Sequence, residues 1–301
     1  LVGKVASFNT LTHSFTEYAP PNADYLTFPV GIVTDPAGNV WVSEHGGSAV
    51  VELVPGNSTF RKYPTSIPPP GVYPVSAVAT LAIDSPGRLW FVEHFSNKVG
   101  RLDPGSNTIQ EFQIPSPVPA YSVLNAIDAK GNFWFTEFGS NQIAEIPGNI
   151  SSPLQISTLD QPSQVKAGSS IASIMMVKNN LSTSLDVRLN ATSSFTPTGK
   201  TSPSEVSFNS TVLAIPGLGT RVLNVTIAPD IGLPSGNYSV GVIASSGNVS
   251  TIGILFLTVE GQFSLVNWIQ SYYQYLLVGV IVIFGVFYFG FLRKSGQERR
   301  S

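Results

Sequence analysis

Apolar and polar residues alternate over short runs in the first half of the chain, and the runs come in a repeating order. "GIVTDPAGNVWVSEH" at 31–45, "LAIDSPGRLWFVEH" at 81–94 and "NAIDAKGNFWFTEF" at 125–138 share one layout. An apolar strand leads to an Asp, a short turn with Gly, and a second strand carrying Trp. Asp35, Asp84 and Asp128 are equivalent, as are Gly38, Gly87 and Gly131, and Trp41, Trp90 and Trp134 lie 49 and 44 residues apart. Each unit continues into a third strand ("SAVVELVPG", "NKVGRLDPG", "NQIAEIPGN"), and the first two into a fourth ("TFRKYPT", "TIQEFQIP"). Four short strands in a unit of roughly 40–50 residues predict β-propeller blades over residues 1–150.

The opening "KVASFNTLTHSFTEYAPP" at 4–21 aligns with "KVGRLDPGSNTIQEFQIP" at 98–115. Lys4 matches Lys98, and Glu17 matches Glu111. The chain therefore reads as starting in the third strand of a blade and supplying about three and a half blades, where a closed propeller takes about four to eight. The expectation is the C-terminal part of a propeller, partnered by an N-terminal fragment that carries the remaining blades.

The pattern changes after residue 153. Seven strands are expected over 154–260, at 155–159, 170–178, 184–192, 204–213, 219–228, 237–245 and 251–259, which predicts a β-sandwich. The runs at 168–179 and 234–242 ("PSGNYSVGV") resemble Ig-like or fibronectin-III-like surface modules, and a stalk is the simplest role. The fold class expected for the whole is all-β: a partial propeller, an Ig-like sandwich and one C-terminal helix.

That helix comes from residues 272–292, whose last 18 positions are uninterruptedly apolar. Twenty-one helical residues reach ~31 Å, the thickness of a bilayer core. Arg293, Lys294, Arg299 and Arg300 follow it, and Trp268, Tyr272, Tyr273 and Tyr275 precede or begin it. The positive-inside rule places the tail 293–301 in the cytoplasm and the β domains outside, in a single-pass plasma-membrane protein.

Composition narrows the chemistry. Charged residues make up 11% of the 301, the formal net charge is −2, and there is no Cys and only three His. A nucleic-acid binder would carry a basic stripe. Disulfides, thiolate zinc and a Cys nucleophile are excluded. Eight N-x-S/T sequons stand at Asn57, Asn149, Asn180, Asn190, Asn209, Asn224, Asn237 and Asn248, about double the chance number, and are candidate glycosylation sites. Together these features resemble an archaeal surface glycoprotein.

The D-x-x-G-x-φ-W-[FV]-x-E core and the K-[IV]-x-R strand resemble the repeats of the virginiamycin B (streptogramin) lyase family over residues 1–150. That resemblance implies a propeller. Family lyases open a cyclic depsipeptide by elimination, with a divalent metal (Mg²⁺ or Ca²⁺ here), a His and acidic residues near the channel. Their Glu-x-His arrangement has no match in this sequence: His45 and His94 directly follow Glu44 and Glu93. No catalytic residue and no cofactor motif is identified. The repeated residues read as structural instead. The tryptophans fill space between sheets, the aspartates cap turns, and Glu44, Glu93 and Glu137 bind backbone N–H groups of the next loop. His13 reads as a solvated loop residue. The function expected is a non-catalytic interaction module, in the cell envelope or as an accessory subunit of a membrane complex. A metal-dependent surface lyase, acting as a carbon–oxygen lyase, and a small-ligand receptor are the alternatives.

Overall fold

The computed structural model describes residues 3–22, 25–68, 73–116, 119–196, 201–202 and 205–261. Every regular element among them is a strand. The expected membrane helix (272–292) and basic tail lie outside the described residues, among which no helix is long and apolar enough to cross a membrane.

The strands follow the repeat. A hairpin of β1 (Val5–Asn9) and β2 (Ser14–Tyr18) comes first. Blade 1 is β3 (Pro29–Thr34), β4 (Val40–Glu44), β5 (Ala49–Val54) and β6 (Thr59–Pro64), antiparallel in that order. Blade 2 is β7 (Val78–Ile83), β8 (Leu89–Glu93), β9 (Lys98–Asp103) and β10 (Thr108–Gln113). Blade 3 has three strands, β11 (Asn125–Ile127), β12 (Phe133–Glu137) and β13 (Gln142–Ile146).

The repeated residues build each blade and its contact with the next. In the turn between the first two strands, Gly38, Gly87 and Gly131 hold φ near +86°, +87° and +83°, a conformation L-residues avoid. Asp35 Oδ1 accepts the Ala37 and Asn39 amides, while Oδ2 accepts Trp41 Nε1 at 3.0 Å. Asp84 and Asp128 hold Trp90 and Trp134 in the same way, at 2.9 and 3.0 Å. One carboxylate thus caps the turn and fixes the rotamer of the indole. Trp41 packs with Leu89, Phe91, Leu102 and Ile109 of blade 2, and Trp90 stacks on Phe133 of blade 3 at 5.2 Å. Burying each ring stabilises its blade–blade contact by about 4–6 kcal/mol. Volumes are balanced across the second and third strands: Val42 faces Val51, Phe91 faces Gly100, and Phe135 faces Ala144. A Cβ on Gly100 would sit 2.1 Å from the Phe91 ring.

Among the described residues nine strands follow where about seven were expected. They are β14 (Leu154–Thr158), β15 (Gln164–Lys166), β16 (Ile171–Asn179), β17 (Leu185–Ser193), β18 (Val206–Phe208), β19 (Val212–Ile215), β20 (Thr220–Ile227), β21 (Gly236–Ser246) and β22 (Val249–Glu260). Two sheets, β14-β16-β20-β18 and β19-β17-β21-β22, enclose a core that includes Met175, Val187, Leu223, Val240 and Leu255. The run expected as one strand at 204–213 divides, β18 joining one sheet and β19 the other. β15 is a short parallel partner of β22.

The sandwich is not a free-standing stalk. β22 pairs with β10 from Val249↔Phe112 to Gly253↔Thr108, so the sheet of blade 2 runs unbroken into the sandwich. Ile243, Ile252 and Ile254 complete the core between blades 1 and 2. Tyr63 of blade 1 meets Phe256 edge-on at 5.3 Å. The two regions share a sheet and a core.

Candidate functional site

One end of the propeller carries the repeated glutamates and the histidines that follow two of them. The turns after the second strands (45–48, 94–97, 138–141) and the described parts of the connections from fourth to first strands (65–68, 73–77, 114–116 and 119–124) meet there. Backbone bonds join them: Thr65 N donates to Ser48 O at 2.8 Å, and Ile114 N to Asn97 O at 2.9 Å. Glu44, Glu93 and Glu137 close the second strands at this end, all three buried.

Their partners differ from the expected loop amides. Glu44 forms an ion pair with Lys62 Nζ at 2.7 Å and accepts Thr27 Oγ1 at 3.2 Å. Its one backbone donor, Thr27 N at 3.4 Å, comes from the preceding connection rather than the next loop. Burial raises its pKa, and Lys62 opposes that without reversing it. Glu137 takes the hydroxyls of Ser116 and Ser140. Neither oxygen of Glu93 has a hydrogen-bond partner. Burial first, then the charge of Glu111, push its pKa well above the ordinary carboxylate value, which favours its neutral form.

Glu111 is the centre of the polar network in blade 2. It accepts Ser66 N at 2.8 Å, Ser66 Oγ at 2.6 Å, Lys98 Nζ at 2.7 Å and Ser250 Oγ at 2.8 Å. Burial acts to raise its pKa, but Lys98 and these donors outweigh burial and leave it low. For Lys98, burial lowers the pKa, and Glu111 and Glu93 more than restore it. The network ties the blade 1–2 connection, blade 2 and the sandwich together.

The outward side of this end is aromatic. Phe28 and His45 lie 6.0 Å apart between ring centroids, His45 and His94 5.5 Å, and His94 and Tyr121 5.3 Å. Tyr73 stacks on Phe95 at 3.9 Å. His94 Nδ1 lies 3.2 Å from Ser122 O. Burial, and for His45 also the charge of His94, lower both histidine pKa values. Both rings are therefore neutral at pH 7. Phe138, which replaces the histidine in blade 3, is exposed. The result is a row of neutral rings suited to stacking against an apolar or aromatic surface.

A lyase-type divalent site would need several convergent donors. Among the described residues no three His, Asp or Glu side chains converge on one point. The imidazoles meet other rings, and Glu44, Glu111 and Glu137 are already partnered within their own blades. The donors present do not fit such an ion, and no catalytic step follows from them. His13 is exposed, in a turn at φ +58°. Seven of the eight sequon asparagines are exposed, whereas Asn180 is half-buried and donates Nδ2 to Ser152 O at 3.1 Å.

The sequence reading missed the Asp–Trp bond, the Glu111 network and the ring row. The first was visible as an Asp and a Trp six residues apart in every copy. The second was visible in the alignment, where Glu111 of blade 2 stands opposite Gly100 as Lys62 of blade 1 stands opposite Val51. Nothing in the repeat marked Tyr73 and Tyr121, which come from the connections.

The sequence profile of the virginiamycin B lyase family matches residues 2–171. Among solved structures, a catalytically inactive virginiamycin B lyase from Staphylococcus aureus with quinupristin is 18% identical, with 83% of this chain and 73% of that one covered and a TM-score of 0.40. A streptogramin B lyase is 17% identical, with 75% and 72% covered and a TM-score of 0.40. No curated protein matches.

Proposed function

The chain belongs to the virginiamycin B lyase family, and from that premise we propose that it is an extracytoplasmic, membrane-tethered propeller that binds partners without catalysing a reaction. The observation that carries this reading is how the repeated acids and histidines are used. Glu44 and Glu137 are occupied within and beside their own blades, Glu93 is sealed from solvent, and the surface left over is the ring row from Phe28 through His45 and His94 to Tyr121. That surface suits contact with an apolar or aromatic patch on another envelope protein. The apolar run at 272–292 and the basic tail after it supply the tether. The sandwich, Ig-like in its sequence runs, braces blades 1 and 2 from the side. The seven exposed sequons are the proposed glycan carriers, and glycans there would keep a charge-poor surface soluble.

The test uses the full chain in detergent. The expected result is no ring opening of a streptogramin B depsipeptide, with or without added Mg²⁺, and co-purification of envelope proteins that His45→Ala plus Phe138→Ala abolishes. Ring opening that depends on a divalent ion and is blocked by a chelator overturns this reading in favour of the surface lyase.

A further inference from the structure

Blade 2 breaks the repeat at two positions, and both breaks are arginines. The third strands place Glu52 opposite Trp41 and Glu145 opposite Trp134, but Arg101 opposite Trp90. After the Asp–Gly turn, blades 1 and 3 carry Asn39 and Asn132, and blade 2 carries Arg88. In blade 1 the residue at this place on the third strand has an opposite charge across the sheet, since Glu52 meets Arg61 at 3.4 Å. In blade 2 the residue across from Arg101 is Gln110, so no carboxylate stands in that place.

Arg101 is only 7% exposed. Its guanidinium lies over the Trp90 ring at 5.0 Å and the Phe112 ring at 5.7 Å. Two of its five N–H groups donate, one to Gln110 Oε1 and one to Gly148 O at 3.4 Å, and the other three find no acceptor among the described residues. Arg88 is already committed, to Asp84 at 2.7 Å and to the same Gly148 carbonyl at 2.9 Å. Burial, with the charge of Arg88 adding to it, lowers the Arg101 pKa to about 10, and Asp84 and Asp103 only partly oppose this. The group is still a cation at neutral pH, and a buried cation without a counter-ion is costly. Both arginines line a hollow of ≈ 340 Å³ between blade 2 and the sandwich. It lies by the start of β8, away from Glu93 and the ring row at the other end of that strand. Its far wall includes Gln155, Ser157, Met176 and Lys178 of β14 and β16. Lys178 is exposed and makes no ion pair among the described residues. The carboxylate in the lining, Asp103, is held by its own turn, where it accepts Gly105 N and Ser106 Oγ, each at 2.9 Å.

We propose that this hollow binds an acidic sugar, free or at the end of a glycan, through its carboxylate. The Arg101 fork matches a planar carboxylate, and Lys178 adds a point charge from the open side. A bare anion would need no more than these two cations. The rest of the lining is built for hydroxyls: Thr108, Gln155 and Ser157 offer donors and acceptors, and Met176 offers apolar surface to the C–H face of a ring. The volume is at the lower end for small-molecule sites, which suits a single sugar ring. The sandwich then supplies half of a binding site as well as a brace for the blades.

The experiment titrates the full chain in detergent, by calorimetry, with D-glucuronate, D-galacturonate, their methyl glycosides, D-glucose and inorganic sulfate. The expected result is saturable binding of a uronate, none of glucose, and sulfate weaker by about tenfold or more. Arg101→Lys keeps the charge but loses the fork, and weakens the uronate about tenfold. Lys178→Glu, at an exposed position that the fold tolerates, weakens it about fivefold. A methyl glycoside bound as tightly as the free acid assigns the site to the end of a glycan, and binding of the free acid alone assigns it to the free sugar. No saturable binding of either uronate overturns the proposal. So does sulfate bound as tightly as the uronate, or a uronate affinity that neither substitution changes.

Discussion

In blade 1 the carboxylate that ends the second strand, Glu44, meets Lys62 from the fourth strand. In blade 2 the same two positions hold Glu93 and Glu111, and a lysine enters from the third strand, where Lys98 replaces the equivalent of Ala49. The motif is the same, yet one carboxylate is paired with a lysine and the other lies beside a second carboxylate that favours its neutral form. The difference shows that W-x-x-E is a scaffold position whose protonation state is set by a strand far away in sequence. A third version stands at the start of the chain, where Lys4 and Glu17 repeat the Lys98–Glu111 pairing in the open, at 2.7 Å.

The largest effect is expected from breaking the blade 1 pair. Lys62→Met leaves Glu44 buried without its cation, which costs about 3–5 kcal/mol. Glu44→Gln on top of it should recover much of that loss, because the uncompensated charge is gone. Urea unfolding of the two variants followed by blade 1 fluorescence measures both. A loss below about 1 kcal/mol for Lys62→Met would place this pair with ordinary surface pairs and end the contrast with Lys4–Glu17.

Blade 2 should respond to pH instead. Glu93 has a folded-state pKa well above its ordinary value, so the folded protein holds a proton that the unfolded chain releases. Its contribution is present in full below the ordinary carboxylate range and is lost as pH rises through the raised value, with a slope of at most about 1.4 kcal/mol per pH unit. Glu111, held low, contributes in the opposite sense: its share is lost as pH falls through its depressed value. Glu93→Gln keeps the neutral shape and should change stability at acid pH by less than about 1 kcal/mol, while removing the decline toward alkaline pH. An unchanged stability-versus-pH curve would mean that Glu93 is not the neutral member of the cluster.

The blades were legible in the sequence because everything that makes one is local and repeated. The Asp–Gly turn, the Trp and the strand alternation recur in each copy, and alignment alone placed β1–β2 as third and fourth strands. What escaped depends on pairings between distant segments. The bond between β10 and β22 joins residues 108–112 to 249–253, and no period links those two stretches. The sheet switch at 204–213 escaped because both halves alternate in the same way, and only the partner strands, β20 for β18 and β17 for β19, divide them. For the candidate site, the acids and histidines were identified but their company was not. Thr27, Ser66, Tyr73 and Tyr121 all come from irregular connections, whose paths a repeat does not specify.

The smallest effect belongs to the exposed pair. Lys4 and Glu17 have side chains 45% and 62% exposed, so water screens the attraction and two long side chains lose freedom to make it. Lys4→Met in the isolated chain should leave the unfolding midpoint where it was. The equivalent Lys98 differs only in what covers it: the connection bearing Ser66, and Glu93 beside it. A midpoint lowered as far as Lys98→Met lowers it would show that burial is not what separates the blade 2 pair from its copy in the hairpin.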